Sequence, residues 1–152
     1  MKRKFKAKGT LRYGTKSWWL VLDVPEEIPE YYRWFVRREV FPAVLRSKFG
    51  AHITVIEGKS EEPPIKEPWG RHAGEEVEFW YSEVGRNRLY VWLEVESPRL
   101  VEIRAELGLP PRNVGFHLTV ARLNKRPLVL TSVRHKILRK SVSSFPQFVI
   151  RF

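Results

Sequence analysis

The sequence of 152 residues contains no cysteine and a single methionine. Without thiols, no disulfide, thiolate nucleophile or zinc–cysteine site is available. A reducing cytoplasm is the natural setting for such a chain. Long apolar runs are also missing: nothing approaches the roughly 18 residues that a membrane span requires. The basic start, Met1 to Lys6, is not followed by the apolar stretch of a signal peptide. The expectation is therefore a cytoplasmic protein with no membrane partner. Low-complexity segments are absent too, and 43% hydrophobic residues against 30% charged ones predict a folded chain with a real core.

Acidic residues are missing from both ends. Residues 1–16 carry seven Lys/Arg and residues 121–152 carry eight, with no Asp or Glu in either segment. The intervening residues 17–120 hold 13 basic and 17 acidic side chains, so the net charge of +11 comes wholly from the ends. Such a distribution suits a nucleic-acid-binding module, an enzyme whose ends lie beside an anionic substrate, or a solvated basic face.

Periodicity gives a coarse map. Residues 4–13 read as a strand, and Ser17 to Val24 as a buried strand ended by Pro25. Pro29 suits the first turn of a helix, which the apolar spacing carries from Glu30 to about Arg46 with a break at Pro42. Ala51–Glu57 is a β-branched strand. Residues 58–74, with Pro63, Pro64, Pro68 and Gly70, form a long loop. Strands follow at Glu75–Ser82 and Leu89–Val95, joined by a turn at Gly85-Arg86-Asn87-Arg88. Ser97-Pro98 opens a helix that Gly108 stops. Gly115–Leu123 is a strand, and 128–133 and 148–152 are candidate strands of the tail.

The order strand–helix–strand occurs twice, and each time the last strand carries His-x-Thr: His52-Ile53-Thr54 and His117-Leu118-Thr119, 65 residues apart. Residues i and i+2 of a strand share a face, so each His projects beside its Thr. Two imidazoles and two hydroxyls facing one cleft supply the parts of phosphodiester cleavage. One His removes a proton from the attacking oxygen and the other protonates the leaving oxygen. The hydroxyls donate to the non-bridging oxygens. That scheme calls for no metal and no cofactor, and no Cys or His-x-x-x-His spacing supplies a ligand set.

His52-Ile53-Thr54-Val55 and Phe116-His117-Leu118-Thr119-Val120 resemble the paired motifs of the 2H phosphoesterase superfamily, over about residues 17–123. The resemblance implies an α+β, bilobal fold with a pseudo-two-fold repeat and antiparallel sheets around a central cleft. The whole of 1–152 then forms one domain, with lobes at roughly 17–57 and 75–123 and the ends pairing as extra strands. It implies His52, Thr54, His117 and Thr119 as catalytic residues. The stretches Trp18 to Asp23 and Ile103 to Pro110 look more like one branch, the phage anti-CBASS nucleases, which degrade cyclic oligonucleotide signals. The implied substrate is a cyclic oligonucleotide; the alternatives are an RNA 2′,3′-cyclic phosphate end, a 2′-5′ linkage, or a non-catalytic RNA-binding role. Nothing in the chain calls for an obligate protein partner.

Other residues are candidates for substrate contacts. Tyr13, at a strand end, and Trp69, in the long loop, suit base stacking as well as they suit packing. Trp18 and Trp19 alternate faces, which predicts that at least one is core. Lys16, Lys66 and Arg71 are candidate phosphate contacts or solvated charges. His72 and His135 read as surface residues.

Overall fold

The computed structural model describes residues 3–39 and 44–123. The calls at 128–133, 148–152 and His135, and the break at Pro42, lie outside the described residues. Nine elements run in chain order: β1 (Phe5–Tyr13), β2 (Leu20–Asp23), α1 (Glu27–Glu39), β3 (Val44–Leu45), β4 (His52–Ile56), β5 (Glu76–Arg86), β6 (Tyr90–Glu96), α2 (Pro98–Glu106) and β7 (Phe116–Leu123).

Most of these follow the sequence map, and the departures have local causes. The first helix starts three residues before the expected Glu30, placing Pro29 inside its first turn, where no N–H is missed. Glu27 and Glu30 at its start and Arg37 and Arg38 at its end match its dipole. It does not run on to Arg46, because Val44–Leu45 pairs instead with β7. The turn expected at 85–88 sits later: β5 continues through Arg86, and the Asn87 side-chain oxygen accepts from the Leu89 and Tyr90 amides. Ser97 is the N-cap by position only. Its hydroxyl donates to the Glu78 carbonyl, which ties the start of α2 to β5.

The fold is α+β, and every strand pairing is antiparallel. The sheet order is β3-β7-β4-β2-β1-β5-β6, and an added β6–β7 pairing closes six of the strands into a barrel. The basic N-terminal segment is thus an integral strand between β2 and β5. Its Lys4, Lys6 and Lys8 form ion pairs with Glu96, Glu78 and Glu76 on the outer face. Inward positions fill the interior with Leu11, Leu22, Ile53, Phe79, Leu93 and Leu118, all at most 2% exposed.

Two fully buried arginines lock the helices to this barrel in a crossed pattern. Arg33 of α1 donates to the Val120 carbonyl of β7 and pairs with Glu26. Arg104 of α2 donates to the Val55 carbonyl of β4 and pairs with Glu61. Val55 and Val120 are the residues that follow Thr54 and Thr119. Each helix therefore grips the motif strand of the opposite half, at the equivalent position.

Candidate active site

The two motif strands are direct neighbours. Ile53 of β4 lies opposite Leu118 of β7 in an antiparallel pair. That register sets His52 across from Thr119 and Thr54 across from His117. Ile53, Val55, Leu118 and Val120 are buried in the barrel, while the His and Thr side chains alternate to the other face and are half-buried. All four polar groups consequently share one patch. Diagonal neighbours across such a pair stand about 7–8 Å apart, which leaves room for one phosphoryl group between the imidazoles.

Each imidazole has a distinct setting. Nδ1 of His52 lies 3.0 Å from the Gly50 carbonyl, which can only accept, so that nitrogen carries a proton. The Trp19 ring stands edge-on to His52, with centroids 5.7 Å apart, and also makes an edge contact with Phe49. Close approach at Gly58 holds Trp19 there: a Cβ on that glycine would meet the Trp19 amide nitrogen at 2.7 Å. His117 is held below its ordinary pKa by burial first, then by the charge of Arg112 and by His52, with Glu57 opposing. These influences favour its uncharged form. Arg112 donates to the Thr54 carbonyl at 2.8 Å, and burial lowers its own pKa. Its guanidinium thus sits beside both motifs.

Neighbouring strands complete the face. Asp23 pairs with His52 in register and holds Arg12 through two hydrogen bonds of 2.6 and 2.9 Å. On the far side of β7, Trp92 lies opposite Thr119 and Glu94 opposite His117.

The residues expected to contact substrate are placed less uniformly. Tyr13 projects from the same side of β1 as the buried Leu11 and packs edge-on against Trp69, which in turn meets Trp18. Tyr13 and Trp69 thus belong to a packed aromatic cluster that adjoins the core, and burial raises the Tyr13 pKa. Lys16 is exposed in the β1–β2 connection. Lys66 pairs with Glu62 and lies over the Trp18 ring. Neither Trp18 nor Trp19 is fully buried, contrary to the alternation argument, because both precede the first residue of β2 and sit in the connection. His72 is not a free surface residue: it bridges Glu75 and Glu106 at 2.8 and 2.7 Å and fastens the long loop to α2.

Arg112 and Trp92 are the site residues that sequence reasoning missed, and Trp19, weighed there for base stacking, stands instead against the His52 ring. Pro110-Pro111 announced a rigid connector before β7 but not the direction of the next side chain. Among the described residues, no three His, Cys, Asp or Glu gather as a metal-ligand set, and no helix is long and apolar enough to cross a membrane. No protein-family model, curated protein or solved structure matched the chain.

Proposed function

We propose that the chain is a phosphodiesterase in which His52 and His117 are the general acid and base and Thr54 and Thr119 bind the phosphate. The observation that carries this reading is the Ile53–Leu118 register, which sets both His-x-Thr pairs on one face of adjacent strands. His117 suits the base, because its depressed pKa leaves it unprotonated. His52 is assigned the acid: the Gly50 carbonyl accepts its Nδ1 proton and orients the ring, which leaves Nε2 as the nitrogen to serve the leaving oxygen. Arg112 adds a fixed positive charge beside the phosphate position.

For a 3′-5′ linkage next to a free 2′-hydroxyl, His117 takes the 2′-hydroxyl proton as that oxygen attacks phosphorus. The bond to the 5′-oxygen breaks, and His52 protonates the departing oxygen. The products are a 2′,3′-cyclic phosphate and a free 5′-hydroxyl. A water in the attacking place gives a phosphomonoester instead. The scheme is metal-independent and uses no cofactor.

The favoured substrate is a cyclic oligonucleotide, in keeping with the resemblance to phage anti-CBASS nucleases and with a role in host cytoplasm. The pairing of Lys4, Lys6 and Lys8 with glutamates supports a small anion over a long one, since these lysines do not form a free basic track. The barrel is read as two lobes of the 2H type, related by a pseudo-two-fold axis near Ile53 and Leu118. The crossed Arg33 and Arg104 contacts support that symmetry.

The test is a panel of cyclic dinucleotides, cyclic trinucleotides, 2′-5′ oligoadenylate and RNA with a cyclic phosphate end, incubated in EDTA. Turnover of a cyclic oligonucleotide is expected, with His52→Ala or His117→Ala each losing about 10²–10⁴-fold while binding persists. Cleavage that survives the double substitution would overturn the assignment. Tight, steeply salt-dependent RNA binding with no cleavage would favour the binding-module reading.

A further inference from the structure

A cavity of about 550 Å³ opens where β6 runs into α2. Trp80, Val95, Pro98, Val101 and Phe116 give it mainly apolar walls, and Arg112 forms part of its lining. None of the four His-x-Thr side chains lines it. Arg112 nonetheless belongs to both places, because its guanidinium donates to the Thr54 carbonyl. Phe116 precedes His117 on β7 with its side chain on the opposite face, but Glu96 stands two residues beyond Glu94, the strand partner of His117, so one wall of the cavity continues the His-x-Thr face.

We propose that this cavity is a nucleobase subsite, which takes the base of a nucleotide whose phosphate lies at Arg112 and the His-x-Thr face. The inference rests on the phosphodiesterase reading and names a part of the substrate that the four motif residues do not touch. Three features favour a base over a plain apolar group. Trp80 offers an indole for stacking, and Lys6 stands over that ring with its ammonium 5.6 Å from the centroid. The mouth carries a donor and an acceptor, Lys4 and Glu96, held together at 2.6 Å. A base has polar edges that meet such a pair, whereas an acyl chain has none. Arg112 finally supplies a cation at the end nearest the phosphate.

The experiment compares adenosine 5′-monophosphate with ribose 5-phosphate, titrated calorimetrically into the full chain. Wild type is expected to prefer the nucleotide by at least about tenfold, the scale of one base stack. Trp80→Ala and Val101→Trp, which remove the stacking face and fill the cavity, are expected to abolish the preference and leave ribose 5-phosphate binding unchanged. A preference that survives both substitutions, or no preference in wild type, overturns the proposal. The Trp80 indole N–H resonance gives a readout that needs no variant: it shifts on addition of the nucleotide, and an unmoved signal also counts against the subsite. Neither probe contains a diester, so failure here is separable from failure of the activity. Hydrolysis of a cyclic oligonucleotide with unaltered KM in both variants would remove the subsite and leave the phosphodiesterase standing. Base-dependent binding without any hydrolysis would do the reverse.

Discussion

Replacing Arg104 by Met is expected to cost about 3 kcal/mol of stability. Arg104 is 1% exposed and makes four hydrogen bonds, to the carbonyls of Val55 and Pro110 and twice to Glu61. Methionine fills much of the same space but donates nothing. Removal of one partner from a buried ion pair typically costs about 3–5 kcal/mol. Glu61 is 27% exposed and regains some hydration, which favours the low end of that range. The Val55 carbonyl also loses its donor, which keeps the effect from falling much further. In urea, with a slope of about 1–3 kcal/mol per molar, the midpoint should drop by about 1–3 M. The pH dependence gives a second check. The Arg104 hydrogen bond holds Glu61 below the usual carboxylate range, so its contribution is complete above the unfolded pKa and is lost as pH falls through the folded one. The gap between wild type and Arg104→Met should therefore narrow as pH drops below about 4.5. The double variant Arg104→Met, Glu61→Leu should recover most of the loss, since no charge is left buried alone. A midpoint change equivalent to less than about 1 kcal/mol, or a gap constant with pH, would refute the reasoning.

The site carries further predictions. Arg112→Gln removes a charge that depresses the His117 pKa, so the acid limb of the pH–rate profile should move to higher pH; Glu57→Gln should move it lower. NMR titration of the His117 ring reads the same shifts directly, and equal profiles in all three proteins would separate Arg112 from the site. Gly58→Ala places a methyl group against the Trp19 backbone and should displace the ring beside His52. Because the clash is with backbone, a lowered thermal midpoint is expected together with a drop in kcat/KM measured well below that midpoint, and full activity there would show that Trp19 does not position His52. Thr54→Val and Thr119→Val should each reduce kcat by about 10²–10³-fold if the hydroxyls bind the developing charge; an effect on KM alone would assign them to ground-state binding.

Much of the local structure was legible because it is written in short-range patterns. Alternation in Ile53, Val55, Leu118 and Val120 fixed which residues point inward, and so which way the His and Thr side chains turn. Pro25, Gly108 and the Ser97-Pro98 pair marked ends. The strand–helix–strand repeat placed both motifs on equivalent strands. Errors arose where a local rule met a long-range contact. Val44–Leu45 fitted a helical spacing but pairs with β7. Ser97 fitted a cap but gives its hydroxyl to Glu78. Trp18 and Trp19 were weighed as strand residues, although β2 begins after them.

Sequence alone therefore determined which four side chains carry the proposed chemistry and that each His stands beside its own Thr, because strand period is a local property. Tertiary structure decided that the two motif strands are neighbours in antiparallel register, that β1 and the β6–β7 pairing close the sheet into a barrel, and that Arg112 and Trp19 meet the His pair. Those contacts join residues far apart in the chain. Their partners are set by which strands close the barrel and by which buried arginine finds which carbonyl, and no periodicity within one segment encodes that choice.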